Sequence, residues 1–269
     1  MEVEVVPLTL PPKTSVESTY FSLYGFEKHF GAQLNDPAQH KAIALDVARN
    51  YARHRLFAGL HPLGSGAVEQ EAEQGDFRRF DAWINFWKTN GLKPEISIDS
   101  FPTPAPTWRL QFWNGVLQQR GLDGAVKVGD EPGCAAPSGI YASQEAARVL
   151  QVAPYLRAKC AFSAMPLTGP ECGYLGNIRE WGYGARSWSG TPMEEMTSFN
   201  AQRVAAGEKV FWYIHNFLQL DRPAYAHRMF FWTLLRYQVP GAMLFSTCAW
   251  DSAAVEECLG DYIIVSSGS

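Results

Sequence analysis

Residues 125–132 read Ala-Val-Lys-Val-Gly-Asp-Glu-Pro, a short apolar strand that ends in two adjacent carboxylates and a proline. Pro132 has no N–H to give to a ladder and stops the strand directly after the acids, so Asp130 and Glu131 stand at a strand's C-terminal end. In a parallel α/β protein active sites are built at that end. Successive strand residues point to opposite sides, so the two acids reach one site only where the strand is already breaking up, and Pro132 supplies the break. Neighbouring carboxyl groups can divide labour, one staying ionised while the other keeps a proton for a leaving group, which is the logic of glycosidic bond cleavage. A solvated acidic turn is the competing reading of the same residues.

Other candidates gather at other strand ends. Trp188, the run Phe211-Trp212-Tyr213 and Trp250 can stack on the apolar faces of a sugar, or can belong to the core. Asp99 closes the segment Ile96-Ser97-Ile98-Asp99 and either bonds substrate hydroxyls or caps the following loop through Ser100 and Thr103. His215 follows Tyr213 and either touches substrate or serves the fold. Arg55, beside His54, reads as half of a structural salt bridge. No HExxH or close His/Asp/Glu set occurs, so neither a metal nor a cofactor is expected, and Gly64-Ser65-Gly66 lacks the rest of a phosphate loop or a nucleophile elbow.

The elements that must position these residues come as eight apolar runs, each followed by an amphipathic stretch. The expected strands are Tyr20 to Tyr24, Arg55 to Gly59, Glu95 to Asp99, Ala125 to Gly129, Cys160 to Ala164, Ala185 to Trp188, Val210 to Ile214 and Ala242 to Ser246. The expected helices include Ala38 to Tyr51, Phe77 to Lys88, Thr107 to Arg120, Ser143 to Ala153, Pro192 to Ala206 and Ala224 to Tyr237. Such alternation calls for a parallel sheet with right-handed crossovers, and eight units close an α/β (β/α)8 TIM barrel, here irregular near the sixth and eighth units. Asp36-Pro37 reads as a helix start, Gly91 and Gly121 as helix ends, and Pro240-Gly241 as a break between helix and strand. Segments 60–75 and 101–107 read as loops on the catalytic face.

Composition sets the outer bounds. With 46% hydrophobic and 19% charged residues over 269 positions, the chain can bury a full core, and one barrel domain over 1–269 is expected, with 1–18 a lead-in and 247–269 an extension. Net charge is −4 with no stripe of Lys and Arg, so nucleic acid is not an expected partner. No apolar run approaches the roughly 20 residues of a membrane span, and no signal peptide opens the sequence, which leaves the compartment and the oligomeric state open. Five cysteines without a CxxC spacing read as free thiols.

Taken in order, several short motifs resemble the catalytic barrel of glycoside hydrolase family 123 and related barrels. They are Leu10-Pro11, Phe21-Ser22-Leu23, His54-Arg55, Asp130-Glu131-Pro132, Val210-Phe211-Trp212-Tyr213, Asp221 to Arg228, Trp232, Gly241 to Phe245, and Trp250. The resemblance implies a retaining β-N-acetylgalactosaminidase type of activity in which the substrate's own acetamido oxygen attacks the anomeric carbon. By that analogy Glu131 is general acid and then base, Asp130 holds the acetamido N–H, and Tyr213 and Trp250 line the sugar pocket. Two alternatives stand beside it: a barrel that binds glycans without cleaving them, and a glycosidase of different sugar specificity.

Overall fold

A computed structural model of the chain describes residues 17–20, several positions between 36 and 49, and residues 67–91, 93–133, 136–162, 173–184, 193–214 and 232–244. Seven strands run through them: β1 (Glu17–Tyr20), β2 (Glu95–Asp99), β3 (Asp123–Asp130), β4 (Arg157–Phe162), β5 (Glu180–Gly184), β6 (Lys209–Ile214) and β7 (Gly241–Leu244). They form one sheet in the order β1-β7-β6-β5-β4-β3-β2, with every neighbouring pair parallel. The first strand pairs with the last, Glu17 level with Gly241 and Tyr20 with Leu244.

The sheet is curled. Lys209 Nζ on β6 lies 3.6 Å from Glu95 Oε2 on β2, although four strand steps separate these strands in the sheet. In a flat sheet about 4.8 Å per step would hold them about 19 Å apart. The face that carries Glu95 and Lys209 is therefore the inside of a (β/α)8 barrel. The expected strand Arg55 to Gly59, whose place in the circle is between β1 and β2, lies outside the described residues.

The helices flanking the strands among the described residues include α1 (Ala67–Glu73), α2 (Arg78–Thr89), α3 (Thr107–Arg120), α4 (Pro137–Val152) and α5 (Met193–Ala205). α3 matches its expected bounds because its signals are local. Pro106 precedes it in extended backbone, and Gly121 ends it at φ 60°, a left-handed conformation that costs glycine least. Its buried stripe, Leu110, Trp113, Val116 and Leu117, repeats at helical spacing. Asp36 caps as expected, with Ala38 N–H donating to its Oδ1 at 2.9 Å.

Several expectations need correction. The segment 60–75 contains α1 rather than loop throughout, and its acidic residues are structural: Arg109 on α3 pairs with Glu69 at 3.0 Å and with Glu73 at 2.6 Å. Trp113 Nε1 donates to the same Glu73 at 2.7 Å. The sixth barrel strand is met as β5, just before the expected Ala185 to Trp188. α4 begins at Pro137, six residues earlier than its apolar pattern announces, because proline suits the first helical position and the turns that follow carry small residues. β4 begins at Arg157, ahead of Cys160, because its first inward-facing positions are charged.

Those charges belong to the barrel floor. Glu95, Asp123, Arg157, Glu180 and Lys209 each open a strand, and Lys159 lies two residues into β4. Lys159 Nζ stands 2.8 Å from Glu180 Oε1 and 3.4 Å from Glu95 Oε1, and Arg157 reaches Glu180, Glu95 and Asp123 at 3.1, 3.3 and 3.5 Å. Burial by itself pushes the Glu180 carboxyl up, but the Lys159 and Arg157 cations outweigh it and hold that group down at about 2. This network fills the N-terminal end of the barrel, the end that serves stability. The core is also rich in aromatic residues, with Trp113 on α3, Trp181 and Tyr183 on β5 and Trp212 on β6 fully buried.

Between β4 and β5 the described residues hold no helix. A turn at 173–178 covers the strands instead, with buried Tyr174 and Ile178, and Tyr174 meets Phe162 edge-on at 5.1 Å. Among the described residues no helix is long and apolar enough to cross a membrane.

Candidate active site

The geometry of the acid pair follows from an irregularity in β3. Lys127 is level with Lys159, but the next pairs are Gly129 with Cys160 and Asp130 with Ala161, so one extra residue is accommodated at Val128. Before the bulge Asp123, Ala125 and Lys127 alternate onto the inside face; after it Asp130, not Gly129, takes the inward position beside Ala161. In a regular strand residues three apart point to opposite faces. Here Lys127 Nζ lies 3.4 Å from Asp130 Oδ2.

Gly129 faces outward, where a methyl group on it would stand 2.9 Å from Ala142 Cβ on α4 and 3.1 Å from Cys160 Sγ. Only glycine lets the bulged strand lie this close to the helix. Burial pushes the Cys160 thiol well up, and the Asp130 carboxylate adds to the shift.

The bulge is pinned on both sides. Ser100 N–H donates to Lys127 O at 2.9 Å, and Glu131 N–H donates to Ala161 O at 2.7 Å. Ser100 is itself the hub of the loop after β2: its Oγ accepts from Ala105 N–H at 2.7 Å and donates to Glu145, and its carbonyl accepts from Tyr141 OH at 2.6 Å. Buried Glu145 is held by Arg148 through bonds of 2.7 and 2.5 Å, and Arg148 also donates to Ala105 O at 2.7 Å. The loop at 101–106 is thus tied to α4 rather than loose, and Phe101 packs on Tyr141 with ring centroids 6.0 Å apart.

Glu131 has φ 45°, left-handed backbone that is uncommon outside glycine and is often kept at functional sites. Its side chain is exposed, and that of Asp130 is 45% exposed, so both acids meet solvent at the C-terminal end of β3. Asp99 ends β2 level with Lys127 and is also exposed, which brings a third carboxylate to the same rim.

The other expected residues are placed in part. Tyr213 lies on β6 level with Gly184 and Met243, near the strand's C-terminal end. Its neighbours in the aromatic run belong to the core: Phe211 and Trp212 are buried, and Trp212 packs against Tyr237 at 5.6 Å. Trp188, His215 and Trp250 lie outside the described residues. Lys127 and the Ser100 hub were not among the expected residues; the inward alternation of Lys127 with Ala125 was the signal for the first. Among the described residues no group of three His, Cys, Asp or Glu side chains is arranged to hold a metal ion.

Strand order and contact across the interior define a (β/α)8 barrel. No family model matches the chain, and no curated protein does. Among solved structures the chain is similar to GH5_18 from Bifidobacterium longum subsp. longum, at 10% identity over 93% of this chain and 74% of that one, with a TM-score of 0.54. A structure of a variant of the same enzyme in complex with Manb1-4GlcNAc is similar at 8% identity over 93% of this chain and 73% of that one, with a TM-score of 0.55. Likeness at this identity establishes the fold.

Proposed function

We propose that this protein is a glycoside hydrolase that cleaves a β-linked N-acetylhexosamine, N-acetylgalactosamine foremost, with retention and by substrate assistance. The observation that supports the reading is the β3 bulge, which puts Asp130 on the inward side of the strand end, directly before an exposed Glu131 in left-handed backbone. The fold supports a glycan as the ligand class, since Manb1-4GlcNAc is bound in the complex of the similar GH5_18 barrel.

In this reaction the substrate's acetamido oxygen forms a bond to the anomeric carbon as the glycosidic bond breaks, and Glu131 gives its proton to the leaving oxygen. Asp130 accepts the acetamido N–H and stabilises the positive charge that develops on the oxazolinium ring. Glu131, now ionised, takes a proton from water, which opens the ring at the anomeric carbon and restores the original configuration. Asp99 bonds sugar hydroxyls, and Trp188, Tyr213, His215 and Trp250 line the pocket. No nucleophile from the protein is needed.

A chromogenic β-N-acetylgalactosaminide and the matching β-galactoside without the acetamido group test this directly. Release from the first alone is expected. Release from both at similar rates requires a nucleophile on the protein and rules out substrate assistance; release from neither points to a different glycan or to binding without cleavage.

A further inference from the structure

We propose that Lys127 is a positioning residue for Asp130, its ammonium fixing the direction in which that carboxylate points into the barrel mouth; the inference rests on the reading of Asp130 and Glu131 as the acid pair. The bulge between Lys127 and Gly129 is what brings residues three apart onto one face, so the chain departs from regular pairing at the one place where the departure joins this cation to this acid.

The main chain on either side is already fixed, by Ser100 N–H on Lys127 O and by Glu131 N–H on Ala161 O. What remains free at Asp130 is its side-chain torsion. The described strands beyond place small residues beside it, since the inward residues level with Asp130 are Ala161 on β4 and, next to it, Gly182 on β5. Lys159, level with Lys127, is committed to Glu95 and Glu180 on the floor. Asp99 and Glu131, the other charged residues described at this rim, are both acidic, so neither attracts the Asp130 carboxylate. Among the described residues, Lys127 is the cation in contact with the Asp130 carboxylate, 3.4 Å away.

A half-exposed pair of this kind contributes little to stability. Its removal is therefore expected to leave the fold intact and act on turnover. With the acetamido substrate, Lys127→Met should lower kcat about 10- to 100-fold, the order expected of a misplaced catalytic group, while KM stays within about two-fold. Lys127→Arg should recover most of the loss, which a merely structural role would not require. A Lys127→Met enzyme that turns over like the parent overturns the proposal.

Crystal structures of the parent and of Lys127→Met give a readout independent of the substrate. One ordered Asp130 rotamer directed to Lys127 in the parent, and several or an outward one in the variant, supports the proposal; the same single rotamer in both overturns it. If the parent cleaves neither chromogenic glycoside, the proposed function falls and this comparison still decides the role of Lys127. Should Lys127→Met fail to fold, Lys127→Gln takes its place in both experiments.

Discussion

Lys159 and Glu180 meet 2.8 Å apart inside the barrel floor, each on the first turns of neighbouring parallel strands and each almost wholly shut off from water. Removing Lys159 takes one of two close cations from the buried Glu180 carboxylate and leaves Arg157, 3.1 Å away, as the other. Lys159→Met is expected to lower stability by about 3 kcal/mol, the low end of the cost of breaking a buried pair from one side, because Arg157 stays in place. Urea unfolding checks it, and a midpoint unchanged from the parent would show that water or another cation takes the place of Lys159.

Acid should undo the same network. Glu180 is held down at about 2 from its ordinary 4.5, despite burial, by Lys159 and Arg157. A depressed carboxyl adds stability that is present in full above the unfolded value and is lost as pH falls towards the folded one. Stability is therefore expected to fall between pH 4.5 and about 2, and Glu180→Gln should flatten that part of the curve. Urea midpoints taken across this range report the slope.

Glu131→Gly separates stability from chemistry. Glutamate at φ 45° carries a left-handed backbone that costs roughly 1–2 kcal/mol, which glycine escapes at a smaller entropic cost. The variant is expected to gain up to about 1 kcal/mol and about 2 °C in Tm while glycoside cleavage is lost. Calorimetry and the chromogenic assay read the two effects separately; a lower Tm would mean that the Glu131 side chain itself holds the turn.

Gly129→Ala tests the fit of the bulge against α4. The added methyl would lie 2.9 Å from Ala142 Cβ, a short side chain with no room to step aside, so β3 and α4 must separate. A loss of about 1–3 kcal/mol in chemical unfolding is expected, as for other overpacked sites. A neutral result would show that the strand and helix slide apart without cost.

The parts legible in the sequence are those set by local signals or strong apolar runs. β2 and α3 match their expected bounds, and β3 ends at Asp130, directly before Glu131 and Pro132. What escaped is what a barrel does to a strand. Its inside face at the floor is ionic, so Arg157 and Lys159 hid the start of β4, and Lys209 lay one residue ahead of the expected Val210. The recurrence of charge at the first position of successive strands was the available sign. The bulge escaped because Val128-Gly129 reads as plain alternation; only the pairing with β4 shows that Asp130, rather than Gly129, turns inward.

The pairing of Glu17–Tyr20 with Gly241–Leu244 has a bearing on synthesis. β1 leaves the ribosome long before its partner exists, and until β7 is made neither β1 nor the outer side of β6 has that neighbour. Contacts so distant in sequence form late and slowly. A product that stops short of Gly241 would carry two open parallel edges rich in β-forming residues, a template for self-association rather than a smaller folded barrel. The seam makes translation through Leu244 a condition of pairing β1 with β7.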